Sequence, residues 1–246
     1  MCFFVLSAVC IAVETEYYDW RGTQLYAAKN YTGALNYFNE AVTQNASYID
    51  AWVHMGDTQR ALKDYNASVQ SYNKAVAIDK NNTAAWSGLL SDYNALKDYS
   101  NAYMAANKTT MLAKTPNKAN WQMEGNLLQL LGKYNESVAR YNQVLALDPQ
   151  NKDSLYKQGV SLIAIGRYAQ ASQNFDQVVK IDRNYTQAYN AKGFALEITG
   201  NYADAIQAFD AALQINPNYT PALVNKMNAL IALKKNSDAM AIFMKL

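Results

Sequence analysis

The sequence predicts an all-α protein, a solenoid of stacked antiparallel helix hairpins, on three observations. A small residue recurs at Ala34, Ser68, Ala102, Ser137, Ala171, Ala205 and Ala239, at intervals of 34, 34, 35, 34, 34 and 34 residues. An aromatic keeps step three positions earlier, at Tyr31, Tyr65, Tyr99, Tyr134, Tyr168 and Tyr202. Glycine follows the same clock at Gly22, Gly56, Gly125, Gly159 and Gly193. Self-similarity at a period of roughly 20–50 residues marks a chain in which each unit buries its apolar face by stacking on its neighbours.

The opening thirteen residues, MCFFVLSAVCIAV, carry no charge and give way abruptly to Glu14-Thr15-Glu16. They are too few to span a bilayer, which takes about 20 residues, and have the length of a signal-peptide apolar core, roughly 7–15 residues. Residues 1–14 are therefore expected to be a signal-like or membrane-anchor segment, with membrane attachment through residues 1–13 and an extracytoplasmic location. The alternative is a cytoplasmic chain whose apolar start packs on the first repeat. Both cysteines, Cys2 and Cys10, lie here, so the repeats hold neither a disulfide nor a cysteine metal site.

The array is expected to fill residues 15–246 without a linker, in frames 15–48, 49–82, 83–117, 118–151, 152–185, 186–219 and a partial 220–246. Residues 186–219 serve as the type case. Tyr189, Gly193 and Leu196, then Tyr202, Ala205, Ile206, Phe209, Ala212 and Leu213, fall at helical spacing and predict two amphipathic helices. Gly200-Asn201 punctuates them, and Asn216-Pro217 ends the second. Two helices joined by so short a turn lie antiparallel. Gly193 and Ala205 are expected where they cross, with Phe209 projecting toward the next repeat.

This pattern resembles the tetratricopeptide repeat family. That motif has an aromatic at position 4, a small residue at 8, Tyr at 17, Ala or Ser at 20, an aromatic at 24, Ala at 27 and Pro at 32. Position 4 reads Tyr18, Trp52, Trp86, Trp121, Leu155, Tyr189 and Leu223. Position 24 reads Phe38, Tyr72, Ala106, Tyr141, Phe175, Phe209 and Phe243. Aromatics at this spacing are core. The third repeat departs, with Leu90 for glycine, Ala106 for the ring and an extra residue near Thr115-Pro116-Asn117, so its second helix is expected to pack irregularly. The seventh helix pair is expected to expose apolar surface.

The resemblance implies a right-handed superhelix whose first helices line a concave groove, and a scaffold that binds a protein or peptide. Positions 2, 5, 6, 9, 12 and 13 then supply the candidate partner-binding residues: Trp20, Tyr26, Asp50, His54, Asp57, Asn94, Gln122, Met123, Asn126, Tyr156, Val160, Asn190 and Phe194. Glu16, Asp19, Arg60, Gln129, Lys157 and Glu197 share those positions. The groove reads as acidic first, then amide-rich, then more apolar. Met123, Tyr156 and Phe194 are the expected anchors, with amides satisfying a peptide backbone. The pairs at positions 5 and 9, among them Asp19/Thr23 and Val53/Asp57, do not fit the family's carboxylate-gripping subtype.

Other function classes find little support. Lys and Arg number 22 against 20 Asp and Glu, which supplies no basic stripe for a nucleic acid. His54 is the only histidine, the repeats lack a cysteine nucleophile, and no GxxxxGK[ST] loop is present, so neither a cofactor nor catalysis is expected. The runner-up readings are a cytoplasmic assembly module and the non-catalytic repeat part of a longer protein. Asn-x-Ser/Thr triplets begin at Asn30, Asn45, Asn66, Asn81, Asn107, Asn135, Asn184 and Asn218. All but Asn107 are expected at turns, where a glycan would not disturb packing.

Overall fold

The computed structural model describes residues 2–115 and 117–244, with side chains from residue 12 onward. The described residues form fourteen helices and no strand: α1 (Cys2–Ala27), α2 (Tyr31–Gln44), α3 (Ile49–Ala61), α4 (Tyr65–Ile78), α5 (Thr83–Ala95), α6 (Tyr99–Leu112), α7 (Lys118–Leu130), α8 (Tyr134–Leu147), α9 (Lys152–Ala164), α10 (Tyr168–Ile181), α11 (Thr186–Ile198), α12 (Tyr202–Ile215), α13 (Thr220–Ala232) and α14 (Asn236–Phe243). From α3 to α13 the lengths alternate between 13 and 14 residues, each about 20 Å at the α-helical rise. The apolar opening segment and the first repeat's first helix are one helix of 26 residues. Among the described residues no helix is long and apolar enough to cross a membrane.

The chain divides into two compact units, Met1–Asn120 and Trp121–Leu246. In the first, α1 to α6 pair as α1/α2, α3/α4 and α5/α6, and each pair packs on the next. In the second, α9/α10, α11/α12 and α13/α14 repeat that arrangement, with α8 against α9.

Every hairpin turns by the same hydrogen bonds. The N–H two residues past the first helix's C-cap reaches back five residues, as Asp64 to Gln59 at 2.9 Å, Arg167 to Leu162 at 2.8 Å and Asn201 to Leu196 at 2.9 Å. Such a turn needs a left-handed residue at its centre. The second unit supplies Gly132, Gly166 and Gly200, with φ of 71°, 77° and 81°, and at its last hairpin Lys234, at φ 59°. The first unit puts Lys29, Lys63 and Lys97 there, at φ of 60°, 63° and 59°. Those three turns end on Asn30, Asp64 and Asp98, whose side chains accept from the third residue on and cap the second helices. Between repeats, Trp52 and Trp86 donate their indole N–H to the carbonyls of Ala46 and Lys80, both at 2.9 Å, and so hold the preceding loop.

The glycine at position 8 makes room for the ring at position 24. A Cβ on Gly22 would lie 2.4 Å from the Phe38 ring, on Gly159 2.6 Å from Phe175 and on Gly193 2.4 Å from Phe209. Gly193 therefore accommodates Phe209 itself, rather than a simple crossing with Ala205. Phe38, Tyr72, Tyr141, Phe175 and Phe209 are fully buried. Each cluster joins a second helix to the next first helix, as when Phe209 and Ala212 pack with Ala222 and Ala229.

The third repeat trades the volumes. Leu90 takes the glycine position and packs on the cluster holding Ala105, while Ala106, in the ring's place, is buried. Its second helix, α6, is as long as its counterparts. The extra residue falls between α6 and α7, where Pro116 lies outside the described residues. The seventh repeat makes half the trade: Met227 replaces the glycine but Phe243 keeps its ring, which stands 63% exposed.

Candidate partner-binding face

In the first unit the acidic side chains are partly used up. His54 Nδ1 lies 2.8 Å from the Asp19 carboxylate, joining α3 to the buried Asp19 of α1. This hydrogen bond, aided by the charges of Asp19, Asp50 and Asp57 and opposed by burial, raises the His54 pKa. Asp57 accepts from the Tyr72 phenol at 2.7 Å and pairs with the Arg60 guanidinium one helical turn away. Burial and that carboxylate push the Tyr72 pKa up. Trp20 and Asp50 stay exposed and Asn94 is half-buried. Tyr26 lies near the end of α1, its ring 5.4 Å from that of Tyr31. Of the acidic side chains at these positions, Asp19 and Asp57 are therefore held by His54 and Arg60, whereas Glu16 and Asp50 stay exposed.

The second unit holds a connected polar row. The Asn126 carboxamide oxygen on α7 is 2.8 Å from the Tyr141 phenol and 2.6 Å from Lys157 Nζ on α9. Gln129 donates to the Lys157 carbonyl and to Ser161 Oγ, each at 2.7 Å. Asn126, Gln129, Leu130, Tyr134, Lys157 and Val160 line a depression of about 390 Å³. Farther along, Asn225 on α13 donates to Asn190 on α11 at 3.0 Å. Gln122 and Phe194 are half-buried, and Met123 and Val160 are exposed. Glu197 is raised by burial.

Tyr156 does not join this row. Its ring sits 5.7 Å from Phe175 and 5.1 Å from Tyr185, within the junction between repeats, and burial raises its pKa. Leu130, at position 13 of its repeat, and Tyr134, at position 17, also line the depression. Tyr134 carries the position-17 signature of a packing residue, and nothing in its type distinguishes it from Tyr65 or Tyr168.

Of the Asn-x-Ser/Thr asparagines, Asn30 caps α2, and Asn81, Asn184 and Asn218 lie exposed in turns between repeats. Asn45 is half-buried, its side chain accepting from the Ser47 N–H at 3.0 Å. Asn66 and Asn135 are the second residues of α4 and α8 rather than turn residues, and both are exposed. Asn107 lies within α6, half-buried. Among the described residues no group of three or more His, Cys, Asp or Glu side chains could hold a metal ion.

Tetratricopeptide repeat family models match residues 25–93 and 198–246 and residues 156–220, and a TPR repeat model matches residues 125–162. The chain belongs to the tetratricopeptide repeat family. No curated protein matches it. Similar solved structures include YrrB, a TPR protein with an unusual peptide-binding site, at 20% identity and a TM-score of 0.66 over 77% of this chain and 97% of that one. The MamA protein is 20% identical, with a TM-score of 0.62 over 70% of this chain and 93% of that one. The Naa15/Naa10 complex bound to HypK-THB gives 14% identity and a TM-score of 0.65 over 94% of this chain and 36% of that one. At these identities the likeness is one of fold: a solenoid of tetratricopeptide hairpins, an architecture that is typically non-catalytic.

Proposed function

We propose that this tetratricopeptide protein is an interaction scaffold that holds an extended segment of a partner protein against the first-helix face of its second unit. The observation that carries the reading is the Asn126–Lys157 pair. The carboxamide oxygen is already engaged, which leaves the Asn126 NH2 and the remaining Lys157 protons to meet the carbonyl or carboxylate oxygens of a guest. Met123 and Val160, each one turn from a member of this pair, flank it with apolar surface, and Phe194 extends the apolar positions onto α11. A polar core flanked by apolar contacts suits a peptide whose backbone is read by amides and whose side chains fill shallow sites. YrrB, with its peptide-binding site, supports the same reading by analogy of fold.

The test is recovery of bound partners with wild type, Met123→Ala, Phe194→Ala and, as a control on the outer helix α10, Gln173→Ala. The first two variants should lose the wild-type partner and the control should keep it. Equal recovery by all four would sink the assignment of the face.

In the same reading the chain works outside the cytoplasm, exported or held at a membrane by residues 1–13. The uncharged opening run and the exposed triplet asparagines at Asn30, Asn66, Asn81, Asn135, Asn184 and Asn218 support this. Expression through a eukaryotic secretory route should add glycan mass that enzymatic deglycosylation removes, and an unmodified mass would contradict it.

A further inference from the structure

The chain has 4 tryptophans, and three of them, Trp52, Trp86 and Trp121, occupy the position-4 packing site. Trp20 does not. It stands at position 6 of the first repeat, 55% exposed, with its ring 6.2 Å from that of Tyr17. Trp52 and Trp86, by contrast, hold the preceding loops through their indole N–H. Positions 2 and 6 reach solvent even in repeats that have a hairpin before them: Asp50 and Asp153 are exposed, and His54 and Lys157 are half-buried. In the second unit these positions read Asp153 then Lys157, a carboxylate one turn from a cation. In the first they read Glu16 then Trp20, and Asp50 then His54, a carboxylate one turn from a ring.

Helices α1 and α3 touch. Glu16, Asp19 and Asp50 converge on the Tyr48 phenol, whose pKa is raised by burial and by these three charges. The cations of this face are already spent, His54 on Asp19 and Arg60 on Asp57. Arg21 stands about 140° round α1 from Glu16 at 3.6 residues per turn and so points elsewhere. Among the described residues Glu16 and Asp50 thus have no cationic partner, and both are exposed beside an open indole.

We infer that the Glu16, Trp20 and Asp50 face of the first unit receives a cationic segment of a partner protein, with one arginine stacked on the Trp20 indole and paired to Glu16 and a second cation on Asp50. Arginine suits the first place because its planar guanidinium can lie on an aromatic face while its edge meets a carboxylate. Packed helix axes lie about 8–10 Å apart. An extended chain covers that distance in about three residues, so the two cations belong at positions i and i+3 of the guest. This surface is separate from the Asn126–Lys157 row, which offers donors to oxygen atoms, and stands or falls without it.

The experiment titrates the full chain at low salt with the capped peptide Ac-Gly-Arg-Ser-Gly-Arg-Gly-NH2 and with the same peptide carrying glutamine in place of both arginines. The readout is the Trp20 indole N–H in proton–nitrogen correlation spectra, assigned by its loss in Trp20→Phe. The arginine peptide should shift this resonance to saturation and the glutamine peptide should leave it in place. Glu16→Gln combined with Asp50→Asn, both at exposed positions, should weaken the arginine peptide at least ten-fold by calorimetry, and Trp20→Ala should do the same, with helical content unchanged in circular dichroism. Glu40→Gln, an exposed carboxylate on the outer helix α2, should leave the affinity within two-fold. An equal response to the two peptides, no shift with the arginine peptide at millimolar concentration, or a loss in Glu40→Gln as large as in the double variant would overturn the inference.

Discussion

At Gly193 a Cβ would lie 2.4 Å from the Phe209 ring, and that ring is buried with no space to retreat. Gly193→Ala should lower stability by about 1–3 kcal/mol through overpacking, read as a fall in the urea midpoint. The turn residues obey a different constraint. A Cβ on Gly166 would meet nothing within 4 Å, so Gly166→Ala is costly only through its φ of 77°. Conversely, Lys63 at φ 63° bears a left-handed conformation that disfavours any residue with a Cβ by roughly 1–2 kcal/mol. Lys63→Gly should therefore stabilise the chain by about 1 kcal/mol, partly offset by the greater freedom of glycine when unfolded. No loss of stability in the first variant, or a loss in the last, would contradict this reading of the two glycine roles.

His54 adds a pH dependence at the same scale. Its folded pKa is raised, first by the hydrogen bond to Asp19. The protonated pair therefore contributes its full stability below the unfolded histidine value of about 6.5 and loses it as pH rises through the folded value. An NMR titration should place the His54 midpoint above that of a free histidine. His54→Gln should flatten the stability profile on the alkaline side, and an unshifted midpoint would refute the pairing.

Between elements, the buried hydroxyl site at the α4–α5 junction differs from its counterpart at α8–α9 in one residue, Asp92 for Ser161. Ser137 Oγ on α8 lies 2.9 Å from the Gly125 carbonyl and 3.1 Å from Ser161 Oγ, a pair of hydroxyls able to share protons. Ser68 Oγ on α4 lies 2.8 Å from the Gly56 carbonyl and 2.5 Å from the carboxylate of Asp92, two acceptors for a single hydroxyl proton. Asp92 is fully buried and its other oxygen has no partner. Burial raises its pKa, against the pull of Ser68 and Arg60. The folded state thus holds this proton more firmly than the unfolded chain. Stability is greatest below the unfolded carboxyl value, near 3.9, and declines as pH rises through the folded one. Asp92→Ser, which copies the Ser161 arrangement, should raise stability at pH 7 by about 1 kcal/mol or more and remove that slope. A less stable variant at pH 7 in urea titrations would show the carboxylate to be an asset.

At the scale of the molecule, the 34-residue clock made the hairpins legible, because position 8 glycine, position 20 small residues and position 24 rings are dictated by stacking. Periodicity also located the two irregular repeats. It did not reveal how each responds: Leu90 packs beside a buried Ala106, whereas Phe243 lines a cleft with Met227 and stands largely exposed. The candidate face can be written from sequence as a set of positions but not as a set of free side chains. Asp57 and His54 look available in sequence, yet each is claimed by a partner three to 35 residues away. Tyr156 looks like an anchor and is held by Phe175 and Tyr185. Side-chain pairing across neighbouring helices depends on rotamers that spacing does not encode.

The most direct test of the partner-binding face is hydroxyl-radical footprinting of the chain with its recovered partner, using methionines as internal reporters. Met123 on the first helix α7 is 39% exposed, while Met104 and Met111 on the second helix α6 are 59% and 71% exposed. Protection of Met123 and Phe194 with Met104 and Met111 oxidised as in the free chain is the expected result. Protection of the α6 methionines with Met123 unchanged would place the partner on the outer helices and contradict the account.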